Sequence, residues 1–229
     1  ADITVVCKEM EPDTDFSRFG TVKVDDEMRI VEFEEKTSSP DSYLISTGIY
    51  IIRRRMLIDL IEQSSVEKKY DFVRDILIRY KNLKRICAYK IDDYWCNIAT
   101  VDAYYQTNMD FLKPEVRKYF WHEYPAVYSK VTDLPPAKYN PGAAVKNSLV
   151  SSGCIINGTV ENSVLFKKVF VGNNCVIRNS IILNDVYLGD NTYIENCIVE
   201  SRSTIRANAR YVSGGGIRIV VEDGERYEL

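Results

Sequence analysis

The chain has 229 residues, 30 Lys and Arg against 33 Asp and Glu for a formal net charge of −3, and 45% hydrophobic residues. That composition suits a globular protein with one large or two small cores, and its interspersed charges lack the basic stripe of a nucleic-acid binder. No stretch approaches the about 18 consecutive apolar residues of a membrane span and no signal-peptide pattern opens the chain, so the expectation is a cytoplasmic protein that engages neither nucleic acid nor membrane.

The chain opens on Asp2-Ile3-Thr4-Val5-Val6-Cys7, a buried strand with no lead-in and no initiator Met before it. The numbered chain is accordingly expected to be a fragment. Gly20-Thr21-Val22-Lys23-Val24 and Ile30-Val31-Glu32-Phe33 flank an Asp25-Asp26-Glu27 turn and predict a hairpin. Ile49 to Ile52 predicts a further strand. Met56 to Ile61 and Phe72 to Leu77 carry the apolar spacing of amphipathic helices, and Val101 to Leu112 that of a third, with Pro114 at its exit. Arg53-Arg54-Arg55 reads as a solvated helix start, with contact to an anionic effector as the other reading. Residues 113–141 are rich in Pro, Tyr and charge and hold Pro135-Pro136. They read as a connector between a mixed α/β domain over 1–112 and a second domain over 142–229.

The second domain repeats itself. Glu161-Asn162-Ser163-Val164-Leu165 recurs as Arg178-Asn179-Ser180-Ile181-Ile182 and as Glu195-Asn196-Cys197-Ile198-Val199, each a step of seventeen. Lys146-Asn147-Ser148-Leu149-Val150 is a looser, earlier copy. A period this short has no room for a helix pair, but it fits one coil of a parallel β-helix with three short strands and three corners. One aliphatic residue per strand points to the axis and stacks into ladders, while Asn and Gly take the corners, where positive φ is needed. About four coils are visible. After them, Ser213-Gly214-Gly215-Gly216 reads as a flexible turn and Ile217 to Val221 as a last strand. The six cysteines, Cys7, Cys87, Cys96, Cys154, Cys175 and Cys197, form no CxxC pair. They are expected as free thiols, three of them packed in the β-helix, and not as metal ligands or disulfides.

Several segments carry a resemblance to a known family. Arg18-Phe19-Gly20, Val24-Asp25, Arg29-Ile30 and Phe33-Glu34-Glu35-Lys36 resemble a run in glucose-1-phosphate adenylyltransferases, the ADP-glucose pyrophosphorylases. Ser46-Thr47-Gly48-Ile49-Tyr50, Tyr70-Asp71-Phe72 with Asp75, and Tyr94-Trp95 through Asp102-Ala103-Tyr104 follow in the family's order. The resemblance covers nearly the whole chain. It implies the C-terminal part of a Rossmann-like nucleotidyltransferase domain, followed by a left-handed parallel β-helix of hexapeptide-like repeats. The hand comes from the resemblance alone, since ordinary crossover rules favour right-handed connections. The implied reaction joins glucose 1-phosphate to the α-phosphate of ATP, releasing pyrophosphate with Mg²⁺ assisting. In that chemistry the protein mainly positions reactants and neutralises charge.

By the resemblance, Glu35 takes sugar hydroxyls, Lys36 meets the sugar phosphate and Ser46 lines the same pocket. The residues alone also allow Glu34-Glu35-Lys36 to be a solvated strand end. The family's Tyr-Trp-Arg-Asp-Val-Gly-Thr motif stands here as Tyr94-Trp95-Cys96-Asn97-Ile98-Ala99-Thr100. Its metal-binding Asp is replaced by Asn97, its Arg by Cys96 and its Gly by Ala99. A neutral amide is a weaker Mg²⁺ ligand, and the lost guanidinium removes a cation with five donors. The family's Gly-rich nucleotide loop and its other metal-binding Asp have no counterpart here. This chain is therefore expected to be inactive by itself and to hold no cofactor. The implied role resembles the non-catalytic partner subunit of glycogen biosynthesis, assembled with a catalytic homologue, with itself, or with both, and responsive to a sugar phosphate or anionic effector. The alternatives are an active adenylyltransferase that tolerates Asn97, a hexapeptide-repeat acyltransferase and a purely structural module. An acyltransferase needs a histidine base on its β-helix, whereas the one histidine, His122, falls in the connector.

Overall fold

The computed structural model describes residues 1–36, 41–123, 128 and 130–222. The chain divides into two compact units, Ala1–Asp93 and Tyr94–Leu229. The helix expected near the end of the first domain thus belongs to the second unit. Among the described residues no helix is long and apolar enough to cross a membrane.

The first unit is a five-stranded sheet with strand order β3-β2-β4-β1-β5, made of β1 (Ile3–Glu9), β2 (Gly20–Val24), β3 (Ile30–Glu35), β4 (Leu44–Ile52) and β5 (Ile86–Ile91). β1 pairs parallel with β5 and antiparallel with β4. Its central place explains the apolar opening run, since Ile3, Val5 and Cys7 are fully buried. The expected hairpin forms from β2 and β3. Asp25 Oδ1 accepts from the Glu27 and Arg29 amides and so shapes the turn. The hairpin tip bends back to β5, where the Ala88 amide donates to Met28 O at 2.8 Å. α1 (Arg54–Val66) and a π-helical segment (Val73–Ile78) cover one face of the sheet, with Leu60, Ile76 and Leu77 meeting Ile3, Val5 and Ile86. Asp71 accepts from the Arg74 amide at 2.8 Å, and Asp75 returns the bond to the Asp71 amide at 3.0 Å, a reciprocal cap at the start of the π-helical segment.

The second unit is built on a parallel β-helix. Its strands stack into three five-stranded sheets, so there are five coils where the sequence shows about four. The additional coil starts at Lys138–Tyr139, inside the stretch read as connector. Inward-facing Ile156, Val160, Leu165, Val171, Ile177, Ile182, Leu188, Ile194, Val199 and Ile205 are all fully buried, which completes the predicted ladders. Cys154, Cys175 and Cys197 belong to the same core. Two edges carry the expected left-handed Asn, Asn147, Asn162, Asn179 and Asn196 on one and Asn174, Asn191 and Asn208 on a second, whereas on the third Lys168, Asp185 and Arg202 take positive φ in place of Asn or Gly. Asn174 Nδ2 donates to Asn191 Oδ1 at 3.2 Å, and Asn191 Nδ2 to Asn208 Oδ1 at 3.1 Å, tying successive coils at that corner.

The looser first copy of the repeat has a structural cause. Thr159 pairs with Val176, a step of seventeen, but Ala144 pairs with Thr159, a step of fifteen. The missing pair is at one corner: Asn157 and Gly158 alone join Ile156 to Thr159, whereas Gly172 to Cys175 join Val171 to Val176. A Cβ on Gly158 would stand 2.5 Å from Cys175 O, so the tight corner admits only glycine.

α2 (Val101–Asp110) lies on the outer side of one sheet of this β-helix. Thr100 Oγ1 caps it by accepting from the Ala103 amide at 3.1 Å. Tyr104, Tyr105 and Met109 pack on the column Val164, Ile181 and Ile198, and Tyr105 Oη donates to Asn179 O at 2.8 Å. Pro114 opens α3 (Pro114–Lys118) at the first helical position, where its missing N–H costs nothing.

Two outcomes test this architecture. Gly158→Ala should destabilise the β-helix by about 1–3 kcal/mol, read as a lower urea midpoint. Timed labelling with a thiol reagent at pH 8 should modify half-buried Cys87 and Cys96 in the native protein, while buried Cys7, Cys154, Cys175 and Cys197 react only after unfolding. Burial pushes the Cys7 thiol up to about 12, which keeps it protonated throughout that assay.

Candidate functional site

Glu35, Gly20 and Ser46 form one row across the sheet of the first unit. Gly20 pairs with Glu35 between β2 and β3, and Thr21 pairs with Ile45 between β2 and β4, so one step along the register Gly20 lies between Glu35 and Ser46. All three therefore address one face. The gap at Gly20 is filled by its neighbours: a Cβ there would meet the Phe33 ring at 2.7 Å and Glu35 Oε2 at 3.1 Å. Glycine thus lets the Glu35 carboxylate lie back over β2 toward Ser46. Lys36 follows with φ 55°, held by donation of its amide to Phe19 O at 2.9 Å. Its ammonium stays 3.8 Å from Glu35 Oε1, and both side chains are exposed enough to meet a ligand.

The structure adds residues that sequence reading placed in matching segments without giving them a role. Tyr50 Oη lies 3.5 Å from Ser46 Oγ, and the Tyr50 ring rests on Phe72 with centroids 4.9 Å apart. Tyr50, Ile52, Leu57 and Phe72 line an open cavity of about 460 Å³. Burial lifts the Tyr50 phenol above its ordinary range, the charges on Glu35 and Asp71 add to that, and the bond to Ser46 opposes it. Glu35, Ser46 and Tyr50 thus offer hydrogen bonds beside an aromatic wall, and Lys36 offers a cation. That set can take up hydroxyl groups and a phosphate. The signal that could have found Tyr50 is its four-residue spacing from Ser46, but only the pairing of β4 brings the two together.

Asn97 belongs to the second unit. Its segment, Tyr94 to Thr100, is irregular and leads straight into α2. Tyr94 Oη donates to Asp110 Oδ2 at 3.0 Å, while Cys96 Sγ lies 3.1 Å from Tyr94 Oη and 3.3 Å from Thr107 Oγ1. Burial lifts the Tyr94 phenol, and its bonds to Cys96 and Asp110 act in the same direction. Burial would raise the Asp110 carboxyl, but bonds from Lys113, Gln106 and Tyr94 bring it below its ordinary value. Cys96 is therefore a member of a hydrogen-bond network that fixes the segment to α2. Mg²⁺ demands hard, mostly anionic oxygen ligands. This segment presents a neutral carboxamide at Asn97 and a soft, already engaged thiol at Cys96, and it does not fit that ion.

The other candidate groups have simpler settings. Arg53 precedes α1 and lies 3.9 Å from Asp2, with Arg54 and Arg55 exposed in the first turn. Gly214, Gly215 and Gly216 have open space around them, as a turn would. The side chain of His122 lies outside the described residues.

Residues 1–114 match the nucleotidyl transferase family and residues 135–213 match the GlmU-like C-terminal hexapeptide family. Similar proteins include the glucose-1-phosphate adenylyltransferase of Thermosipho melanesiensis, 35% identical over 176 residues that make up 76% of this chain and 42% of that protein. The Geobacillus stearothermophilus enzyme of that name is 36% identical over 180 residues, 77% of this chain and 46% of its own length. The one from Clostridium botulinum strain Eklund 17B is 38% identical over 181 residues, with the same shares. The chain spans less than half the length of these relatives. With both matches in this order on one chain, it belongs to the glucose-1-phosphate adenylyltransferase family, as a nucleotidyltransferase segment followed by a hexapeptide β-helix.

Proposed function

We propose that this chain acts as a regulatory, non-catalytic subunit of a glucose-1-phosphate adenylyltransferase in glycogen biosynthesis, with a pocket that still takes the sugar phosphate. The observation that carries the reading is the segment Tyr94 to Thr100. Where active members of the resembled family hold an Arg and a metal-binding Asp, this chain has Cys96 and Asn97, and the Cys96 thiol is bound up with Tyr94 and Thr107. Transfer to the α-phosphate of ATP develops charge that a metal and cations must neutralise. Replacing a carboxylate by an amide and a guanidinium by a thiol removes that capacity from this segment.

The sugar side supports the second half of the reading. Glu35, Lys36 and Ser46 keep the residue types the resemblance calls for, and Tyr50 joins them. On this reading the chain assembles in the cytoplasm with a homologous catalytic subunit, with itself, or with both. Its left-handed β-helix supplies assembly surfaces, and occupation of the sugar pocket or binding of an anionic effector adjusts the partner. Mg²⁺ belongs to the partner's reaction and not to this subunit.

The test is pyrophosphorylase activity of the full-length parent protein, alone and mixed with an active homologous subunit, beside a Cys96→Arg, Asn97→Asp double variant. Alone, the protein should turn over at least about 10³-fold more slowly than the active subunit, the scale expected when a metal ligand and a transition-state cation are lost. Mixed, it should change the partner's response to effectors. Full activity of the unmodified protein on its own would sink the regulatory reading.

A further inference from the structure

Strand β4 carries two residues more than its partner at the stretch that holds Ser46 and Tyr50. Val5 of β1 faces Tyr50 and Cys7 faces Ser46, so Val6 alone is opposed by Thr47, Gly48 and Ile49. A regular strand rises about 3.3 Å per residue, which would set Ser46 and Tyr50 about 13 Å apart. Through the bulge they face β1 residues only two apart, a span of about 7 Å. That compression lets Tyr50 Oη come within 3.5 Å of Ser46 Oγ while its ring stays on Phe72. The bulge adds an even number of residues, so Tyr50 remains on the face shared by Ser46, Gly20 and Glu35.

Two residues hold the bulge. Gly48 has φ +79°, and no atom lies within 4 Å of where its Cβ would be. Its glycine is therefore required by the backbone conformation and not by crowding. Thr47 Oγ1 donates to Val6 O at 2.8 Å, supplying a bond that the interrupted ladder lacks. We infer that Thr47 and Gly48 are positioning residues: by folding β4 into this bulge they bring the Tyr50 hydroxyl beside Ser46 and toward Glu35, where it serves the sugar hydroxyls. The inference rests on the sugar-phosphate reading of the site for its ligand, but not for the placement of Tyr50.

Three variants test it: Gly48→Val, which a β-branched residue at positive φ disfavours; Gly48→Asn, which tolerates that conformation; and Thr47→Val, which keeps the shape and removes the hydroxyl. The first readout is the nuclear Overhauser contact between the Tyr50 and Phe72 rings, and the second is binding of glucose 1-phosphate by titration calorimetry. Gly48→Val and Thr47→Val should weaken the ring contact and raise the dissociation constant about tenfold, with the β-helix signals unchanged, while Gly48→Asn should stay within about threefold of the parent. Ring contact and affinity that survive both Gly48→Val and Thr47→Val overturn the inference. A parent protein that binds no glucose 1-phosphate but loses the ring contact in Gly48→Val refutes the sugar-phosphate reading and leaves the positioning role of the bulge standing.

Discussion

Most of the second unit depends on one constraint, which is that a strand of two or three residues cannot satisfy its own backbone. Each coil of the β-helix places its peptide groups against the coil before and after it, and the chain must turn three corners per coil to do so. A left-handed residue makes the turn at most corners, and where that residue is Asn it does so at little steric cost, with the amide side chains of Asn174, Asn191 and Asn208 bonded in a column. The inward aliphatic ladders then add burial to a frame already fixed by hydrogen bonds. Gly158 shows how narrow the tolerance is. A Cβ there would stand 2.5 Å from Cys175 O, and one on Gly189 as close to the Ala207 amide, so a residue without a side chain is needed where coils approach this closely.

That rigid body reaches forward to the segment bearing Asn97. α2 is half-buried along the face it turns to Val164, Ile181 and Ile198, and Tyr105 bonds to a corner carbonyl of the β-helix. Its N-cap, Thr100, is also the last residue of the altered motif. Through Tyr94, Cys96, Thr107 and Asp110 the motif is bonded to the helix that follows it. Segment, helix and β-helix therefore share one packed unit.

Much of this was legible in the sequence, and the reasons for the gaps are physical. The step of seventeen revealed the coil, the inward residues and the two Asn corners, because each is a local property repeated in register, but not the third corner, where Lys168, Asp185 and Arg202 are left-handed. The fifth coil was hidden because its strand Lys138–Tyr139 lies among prolines and charges and because the short Asn157–Gly158 corner shifts the first copy out of phase. The helix over 101–110 was visible from its apolar spacing, but not its partner, since periodicity says which face is buried and not against what. Glu35, Lys36 and Ser46 were proposed through motif order, and the strand register sets Glu35 and Ser46 on one row. Tyr50 was not assigned because a regular strand would set it far from Ser46, and the bulge that closes the distance leaves only a single glycine as its trace.

The segment bearing Asn97 and the strands bearing Glu35 and Ser46 differ in how their local conformations are stabilised. At Tyr94 to Thr100 the altered residue Cys96 is taken up in internal bonds to Tyr94 and Thr107. At β3 and β4 the reverse holds. Lys36 and Gly48 adopt left-handed conformations at exposed positions, Gly48 in open space where no packing offsets the loss of backbone freedom. Gly20 gives up a side chain at the start of β2, which leaves room for the Phe33 ring and the Glu35 carboxylate above it. Features that weaken a fold locally and converge on one set of polar groups are what a binding site requires, whereas a purely structural module gains nothing from them. On the proposed reading, sugar-phosphate groups retained at Glu35, Lys36 and Ser46, together with a neutral amide at Asn97 and an engaged thiol at Cys96, are the combination expected of a subunit that senses the substrate without converting it.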